Sequence, residues 1–433
     1  MLVLLTLKFQ SITKMNEHFC PNPFVYVTNS LEGIVKYCCL VQRGIEDDNG
    51  NVFKSDDANL QEVWNSKDLN NVRQQMIEGK AVKDCEVCYK LEQMGGGSLR
   101  TDLLSHWTNG PRKEQFDNAL AEYHSGQGMT GPVSMEIRTG NLCNLKCRMC
   151  YPTASVLIEK EFNKLRKQDS EWNKISDDIG SSMLSHDGYF QEVIDNFHRM
   201  DALRFSGGEP FLTDITLKII HEAARTGHSS HIDFFVNTNF TRITTELLED
   251  LKTFRTVNID ISLDGYKQVH EYIRSGLEWS SIEENLVKIK PYLTQNFYIT
   301  TNTTVQNLNV LYLEDILKWT INELDITPVL CVLDNPKFLA ISNMPGDMKR
   351  EASMRLNQLI DSDLVKNYKQ PQWLQGRLRS IIKTIELPSD PKQINRFLHF
   401  TNITDKNRNQ DYRVSIPEVA SYYEPYCSIR DIR

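Results

Sequence analysis

The chain has 433 residues, of which 40% are hydrophobic and 24% charged, and its formal net charge is −8. A chain of this length exceeds one ordinary core, so we expect a large globular domain with smaller additions. No apolar run approaches the roughly 20 residues of a membrane helix. The negative charge argues against an unspecific grip on nucleic acid, although a local basic groove stays open.

The cysteines indicate the cellular setting. Seven of the ten fall at cluster-like spacings, which favours a reducing cytoplasm over disulfide chemistry. Residues 1–9 are apolar but lack a basic start and a small-residue cleavage site. We interpret them as a strand or an over-extended start before Met15, and not as a signal peptide.

Residues 15–100 are predicted to form a small cysteine-bearing module with a helical spacer over 60–79. Four of its cysteines would complete a metal site, and their spacing fits either a zinc ion or an iron–sulfur cluster. Cys39 adjoins one of them, and spacing alone does not separate the two neighbours. The four ligands that we choose are Cys20, Cys38, Cys85 and Cys88.

A linker and a cysteine loop follow this module. Residues 92–130 carry Gly95, Gly96 and polar turn residues, which are typical of a linker. A strand predicted over 133–138 then leads into a loop with three more cysteines, separated by three and then two residues. These are Cys143, Cys147 and Cys150.

The three-cysteine loop indicates a particular kind of metal site. The spacing is too tight for a disulfide scaffold, and a mononuclear zinc site normally takes four protein ligands. Three thiolates instead suit an iron–sulfur cube with one iron left open to a small molecule. The loop therefore predicts a cluster that binds a second cofactor.

The next strand, predicted over 202–206, ends in Gly207, Gly208 and Glu209. Glycines let the backbone approach a ligand closely, and an adjacent carboxylate can receive an ammonium group. Further strands are predicted over 231–236, 257–265, 297–305 and 327–333, with helical segments between them. Six alternating β/α units predict an α/β fold of the partial (βα)6 barrel type, with its chemistry at the carboxyl ends of the strands.

Several remaining segments carry weaker signals. The charged residues over 159–178 predict a solvated helix. On the last two strands, Asn302 and Thr304 are expected to point toward the barrel mouth, and Cys331 is expected to be a buried packing residue. The helical tail from residue 345 onward either folds over the mouth as a lid or packs against the N-terminal module.

Taken together, these motifs resemble those of the radical S-adenosylmethionine (SAM) enzymes. The resemblance includes the three cysteines, the Gly-Gly-Glu-Pro motif, the Thr238-Asn-Phe segment with Phe240 in place of the family's glycine, and Ser262-Leu-Asp-Gly followed by His270 and Arg274. Residues 20–100 are similar to the twitch module, the short form of the auxiliary-cluster (SPASM) domain. That module usually follows the barrel, whereas here it precedes it.

The resemblance implies two cofactors: SAM with a [4Fe-4S] cluster on Cys143, Cys147 and Cys150, and a second iron–sulfur cluster on Cys20, Cys38, Cys85 and Cys88. It also implies which residues contact SAM, while Asp264 is expected to order a turn. Met149 or Tyr151 would cover the adenine, the Gly-Gly-Glu motif would take the amino group, and Ser262 and Arg274 would reach the ribose or carboxylate. The full implied set is Met149, Tyr151, Gly207, Gly208, Glu209, Asn239, Ser262 and Arg274.

The implied domains are a twitch-like module over 15–100, a radical SAM barrel over 130–340 and a helical extension over 341–433. The implied reaction is hydrogen abstraction from a substrate, with electrons from a carrier such as a flavodoxin or ferredoxin. We favour a peptide or protein substrate; a small-molecule enzyme and a non-catalytic iron–sulfur sensor are the alternatives. Cys427 fits neither cluster and is considered both as a hydrogen-atom donor and as a packing cysteine.

Overall fold

The computed structural model describes residues 17–56, 58–93, 97–168, 172 and 188–427. The apolar start, Gly95 and Gly96 of the predicted linker, and most of the charged segment beyond residue 168 lie outside the described residues. Contacts divide the chain into two compact units. The first is Met1–Asn141, Ser182–Phe235 and Glu249–Val257, and the second is Leu142–Ser181, Val236–Leu248 and Asn258–Arg433.

The described part of the chain contains short pairing strands as well as the six predicted barrel strands. The strands are β1 Tyr26–Asn29, β2 Val35–Lys36, β3 Ser134–Arg138, β4 Lys146–Cys147, β5 Ala202–Ser206, β6 Asp233–Thr238, β7 Thr256–Ser262, β8 Arg274–Ser275, β9 Phe297–Val305 and β10 Thr327–Val332. The six predicted strands correspond to β3, β5, β6, β7, β9 and β10. The predicted α/β fold with a helical C-terminal region is confirmed.

Helices separate these strands and fill the tail. The α-helices are Asn22–Val25, Leu60–Asn65, Lys67–Ile77, Glu86–Gln93, Leu99–Leu104, Lys113–Ser125, Val156–Gln168, Gly188–Asp195, Asp214–Thr226, Thr245–Leu251, Gln268–Ile273, Trp279–Ile289, Leu313–Lys318, Gly346–Asp361, Asp363–Lys366, Pro371–Ile385, Pro391–Arg408, Tyr412–Ser415 and Pro417–Tyr423. The 3-10 turns are Lys83–Cys85, Pro152–Ala154, Pro210–Leu212, His228–His231, Lys290–Tyr292, Val310–Tyr312, Lys337–Leu339, Ile341–Asn343 and Glu424–Tyr426, and π-helical turns lie at Ser105–Asn109 and Trp319–Glu323. Among the described residues, no helix is long and apolar enough to span a membrane.

In the first unit, β2, β1, β3 and β5 are neighbours in that order, and β6 follows β5. β1 runs parallel to β3, and β3 parallel to β5, whereas β2 is antiparallel to β1. The predicted spacer over 60–79 is two helices rather than one, because the Ser66 side chain accepts a hydrogen bond from Leu69 N and caps the second. The N-terminal segment thus contributes a strand, β1, which the sequence did not predict.

In the second unit, β6, β7, β9 and β10 are neighbours in that order, and β4 pairs with β8 in a separate two-stranded ladder. β9 and β10 run parallel. The tail helix Pro391–Arg408 starts at Asp390, whose side chain accepts from Lys392 N, and ends at Asn409 in the left-handed conformation. These signals fix the length of the helix that borders the cysteine loop.

Candidate functional site

The cysteine loop in the second unit is held by the β4–β8 ladder. Cys147 pairs in register with Arg274, and the backbone N–H of Arg148 donates to Ile273 O at 2.9 Å. Arg274 Nη1 lies 3.7 Å from Cys147 Sγ, and its Nε lies 2.7 Å from Asp264 Oδ2. A guanidinium donor is therefore directed at one of the three predicted cluster ligands.

A second donor reaches the loop from the end of β6. Asn239 Nδ2 lies 3.9 Å from Cys143 Sγ and 2.9 Å from Asn144 Oδ1. The Asn239 side-chain oxygen accepts from Thr241 N at 3.0 Å, which fixes the orientation of the amide. Hydrogen bonds of this kind to cysteine sulfur tune the charge and potential of iron–sulfur centres.

The turn after β6 explains how Phe240 can stand where the similar motif has a glycine. This buried residue has φ of 60°, a conformation that glycine adopts without steric cost. The phenylalanine backbone is held on both sides: its N–H donates to Thr238 Oγ1 at 3.0 Å, and its carbonyl accepts from Asn285 Nδ2 at 2.8 Å. The turn keeps a glycine-like geometry without a glycine.

The three thiols of the loop lie close enough to influence one another. Burial raises the pKa of Cys150, and the neighbouring Cys147 and Cys143 thiols raise it further. Burial also raises the pKa of Cys147, while the Arg274 guanidinium opposes that shift. Metal binding at such a site must displace thiol protons, and nearby cations favour the thiolate form.

Asp264 pairs with Arg274 and is itself bonded to His270. Asp264 is fully buried, and its Oδ1 accepts from Thr304 N at 2.8 Å. Its own N–H donates to His270 Nδ1 at 3.1 Å, so that ring nitrogen carries no proton. Burial raises the pKa of Asp264 and lowers that of His270. The Asp264 carboxylate thus joins β9 to Arg274, and its role in ordering the turn stays a prediction.

The buried arginine inside the cysteine loop has no signal in the sequence. Arg148 stacks on the Tyr272 ring at 3.7 Å, and its Nε donates to Tyr272 O at 3.0 Å. Its guanidinium also forms an ion pair with Asp405 and donates to Thr404 Oγ1 at 3.0 Å. All of these groups are buried. Only folding reveals the contacts with Thr404 and Asp405, since these residues lie 256 and 257 positions along the chain.

A second arginine, Arg408 of the tail helix, bonds to the backbone next to Cys147. Arg408 Nη1 donates to Lys146 O at 2.8 Å, and its Nε lies 3.0 Å from Glu161 Oε1. Glu161 is buried, so the predicted solvated helix, observed as Val156–Gln168, has one packed face. Within the second unit, the tail helix therefore packs on the cysteine loop.

In the first unit, the glycine motif after β5 packs tightly against the loop after β3. Gly207 has φ of 130°, and a Cβ there would lie 3.0 Å from Gly140 O. Gly208 N donates to the same oxygen at 2.9 Å. Glu209 is fully buried and accepts from Phe211 N at 3.2 Å. The motif is therefore a close-packed turn that carries a buried carboxylate.

The four predicted ligands of the N-terminal module line one cavity of about 410 Å³, measured with the space at its mouth. They are Cys20, Cys38, Cys85 and Cys88. Of the adjacent cysteines, Cys38 belongs to this lining. Burial raises the pKa of Cys20 to about 12 and that of Cys85 to about 11, whereas a hydrogen bond with Cys39 lowers that of Cys38. Among the described residues, no group of three or more His, Cys, Asp or Glu side chains is arranged to hold a single metal ion.

The other predicted site residues take varied positions. Met149 and Tyr151 flank Cys150 and are partly exposed, and Ser262 is partly exposed at the end of β7. Cys427 is partly buried on the tail, where its Sγ lies 3.8 Å from Tyr412 Oη.

Cys331 contradicts its prediction. It was expected to be a buried packing residue, but its side chain is exposed. The reason is its register: Cys331 pairs with Thr304 on the polar, partly open face of β9 and β10, opposite to the buried Val305 and Leu330.

Comparison with known proteins agrees with this geometry. Residues 137–320 match the family model described as Radical SAM superfamily, so this part of the chain is a radical SAM domain. The chain is 23% identical over 216 residues to the radical SAM cyclopropyl synthase TigE of Paramaledivibacter caminithermalis, a match that covers 49% of this chain and 43% of that relative. The chain thus spans less than half the length of this curated relative.

Solved structures give weaker similarity. Native anSMEcpe with bound AdoMet has a TM-score of 0.40 at 18% identity, covering 55% of this chain and 62% of that chain. Streptococcus suis SuiB bound to precursor peptide SuiA has a TM-score of 0.35 at 11% identity, covering 78% and 64%.

Proposed function

We propose that this chain is a radical SAM enzyme that abstracts hydrogen from a peptide or protein substrate. The observation that carries the proposal is the cysteine loop, where Arg274 and Asn239 direct N–H donors at two of the three predicted cluster ligands. A packing loop has no need of charged and amide donors aimed at its sulfur atoms. The radical SAM domain over 137–320 supports the same assignment.

The residues present fit a [4Fe-4S] cluster on Cys143, Cys147 and Cys150. When bound, the cluster supplies the electron that cleaves SAM to methionine and a 5′-deoxyadenosyl radical, the species that takes hydrogen from the substrate. The chain's own part is to hold the thiolates, exclude water by burial and offset negative charge with Arg274. Because Arg274 is paired with Asp264, it is held beside Cys147 before any cofactor arrives.

For SAM itself, we propose contacts from the residues that the motifs indicate. Gly207 and Gly208 would let the backbone approach the cofactor, and the buried Glu209 carboxylate suits the methionine ammonium. Ser262 and Arg274 would meet the ribose and carboxylate, and Met149 or Tyr151 the adenine. Asn239 is proposed to act on the cluster side of the cofactor, since its amide already faces Cys143.

We further propose that the N-terminal cavity holds a second iron–sulfur cluster on Cys20, Cys38, Cys85 and Cys88. All four thiols line one cavity, which supports their action as a set. Iron and zinc are distinguished by elemental analysis. A Cys39→Ala variant should retain the metal, whereas loss of metal in Cys39→Ala and retention in Cys38→Ala would show that the ligand is the neighbouring residue.

The peptide assignment rests on the Ser262-Leu-Asp-Gly…His270…Arg274 run, which is similar to that of the peptide-modifying branch. The decisive first experiment is anaerobic reconstitution followed by measurement of iron and 5′-deoxyadenosine. The triple variant C143A/C147A/C150A should keep about half the iron and form no 5′-deoxyadenosine. Cys331→Ala, which removes an exposed thiol outside both cysteine sets, serves as the control. A triple variant that still cleaves SAM would refute the proposal.

A further inference from the structure

One face of the sheet in the first unit is polar, with Arg204 exposed, Lys36 and Glu136 partly exposed and Thr28 buried. The register places Lys36, Thr28, Glu136 and Arg204 in one row across β2, β1, β3 and β5. The opposite face is apolar and buried, with Val27, Val35, Met135, Ile137, Leu203 and Phe205. Strands within α/β proteins are usually apolar on both faces, so the polar row is a departure that packing alone does not explain.

The charges on this face do not balance. Arg138 lies on the same face as Glu136, two residues along β3, and its Nε is 3.2 Å from Glu136 Oε1. Glu136 also accepts from Tyr26 Oη at 2.8 Å and Ser206 Oγ at 3.2 Å. The one carboxylate of the row is thus already engaged.

Two cations remain available. Among the residues that the structure describes, no carboxylate oxygen lies within 4 Å, the limit for an ion pair, of the charged nitrogens of Lys36 or Arg204. Arg204 is exposed and stacks on the Phe235 ring at 4.8 Å, which orients the guanidinium while leaving its edge for a ligand.

The spacing of the two cations restricts the anion that fits. Neighbouring strands are about 4.8 Å apart, so Lys36 and Arg204 are separated by three steps, or roughly 14 Å. One small anion does not reach both. An extended peptide advances about 3.3 Å per residue, so carboxylates four positions apart are separated by about 13 Å.

We propose that Lys36 and Arg204, the two cations that remain available on this face, bind an acidic segment of an extended peptide. The inference rests on the proposed function, because it names the chemistry of the peptide substrate. It also explains how a chain with a net charge of −8 would attract an acidic partner, because the local positive field of this face opposes the negative charge of the whole molecule.

The test uses the reconstituted full chain and three labelled hexapeptides, made of glutamate, glutamine or lysine. Fluorescence anisotropy should show that the glutamate peptide binds and that added salt weakens it. The double variant Lys36→Gln/Arg204→Gln should lose at least about tenfold in affinity, and Arg204→Glu should favour the lysine peptide. Arg225→Gln, on an exposed helix position paired with Glu222, should bind like the wild type.

Equal binding of glutamate and glutamine peptides, or unchanged affinity in the double variant, would overturn the inference. Displacement of the peptide by equimolar inorganic phosphate would also overturn it, since it would indicate a small-anion site. 5′-Deoxyadenosine formation without peptide is measured on the same samples. Wild-type protein that cleaves SAM but binds no acidic peptide refutes only this inference, whereas protein that fails to cleave SAM refutes the proposed function.

Discussion

At the scale of single residues, two polar side chains around the cysteine loop direct N–H donors at cysteine sulfur atoms. Asn239 and Arg274 reach Cys143 and Cys147 from different elements, and each is fixed by another partner, Thr241 or Asp264. Donors fixed in this way need no rearrangement when the thiols become thiolates. The expected consequence is control of the cluster's electronic properties rather than of its assembly.

Asn239→Ala therefore tests whether this amide tunes the reduction potential of the barrel cluster. Loss of one N–H donor to a cluster sulfur should lower the reduction potential of the barrel cluster, because the more negative reduced state loses more stabilisation. A hydrogen bond worth up to about 1.4 kcal/mol corresponds to as much as about 60 mV for one electron. Redox titration monitored by electron paramagnetic resonance measures the shift. Asn302→Ala, an amide on β9, should leave the potential unchanged, and an equal shift in both variants would contradict the assignment.

His270 predicts how stability depends on pH. Burial lowers its pKa in the folded protein, so the unfolded chain binds a proton that the folded chain does not. Stability should therefore fall as pH drops below the unfolded value near 6.5, by at most about 1.4 kcal/mol per pH unit from this group. Denaturant titrations between about pH 7 and pH 5 should show a smaller loss for His270→Asn. The exposed His198→Asn provides the comparison, and identical pH slopes for the three proteins would exclude this role.

At the scale of elements, the turns carry the strictest backbone requirements. Gly207 and Phe240 both adopt positive φ, but the first has no room for a Cβ and the second has a buried ring. Glycine is thus required at the turn of Gly207, whereas phenylalanine takes its place at the turn of Phe240.

Gly207→Ala should destabilise the protein by at least about 2 kcal/mol, since the new methyl group meets Gly140 O at 3.0 Å and the backbone angle is unfavourable. Gly376→Ala is the matched control. It lies exposed in the helix Pro371–Ile385, where a Cβ meets nothing within 4 Å, and it should gain roughly 0.5–1 kcal/mol. Both are measured by urea denaturation, and a tolerated alanine at Gly207 would show that the turn can relax.

The elements also show what sequence could predict. The six barrel strands were found because alternating or β-branched runs ended at polar motifs, and the three-cysteine loop stood out because its cysteines lie close in sequence. β1 was missed since four residues within a cysteine-rich segment carry too short a pattern. The exposed Cys331 was missed because a strand's composition does not tell which face a neighbouring strand leaves open.

At the scale of the whole molecule, sequence separation hid the contacts that hold the site. Arg148 and Asp405 are 257 positions apart in the chain, and nothing in the sequence around either residue indicates the other. Their contact makes the tail helix Pro391–Arg408 part of the framework around the cysteine loop in the second unit. If the tail helix did not support the cysteine loop, the protein would tolerate substitutions at Arg148 and Asp405. Substituting these two residues therefore tests the role of the tail directly.

Arg148→Ala leaves the Asp405 carboxylate buried without its cation, which should cost about 3–5 kcal/mol in unfolding free energy. The same change should reduce the iron bound by the barrel loop, because Arg148 lies between Cys147 and Cys150. Arg413→Ala breaks the exposed pair with Asp411 in the same tail, where such pairs are worth at most about 1 kcal/mol. The double variant Arg148→Met/Asp405→Leu removes both buried charges and should recover much of the lost stability. If that double variant regains stability yet still binds less iron, Arg148 positions the loop specifically; if Arg148→Ala keeps full stability and full iron, the tail does not support the site.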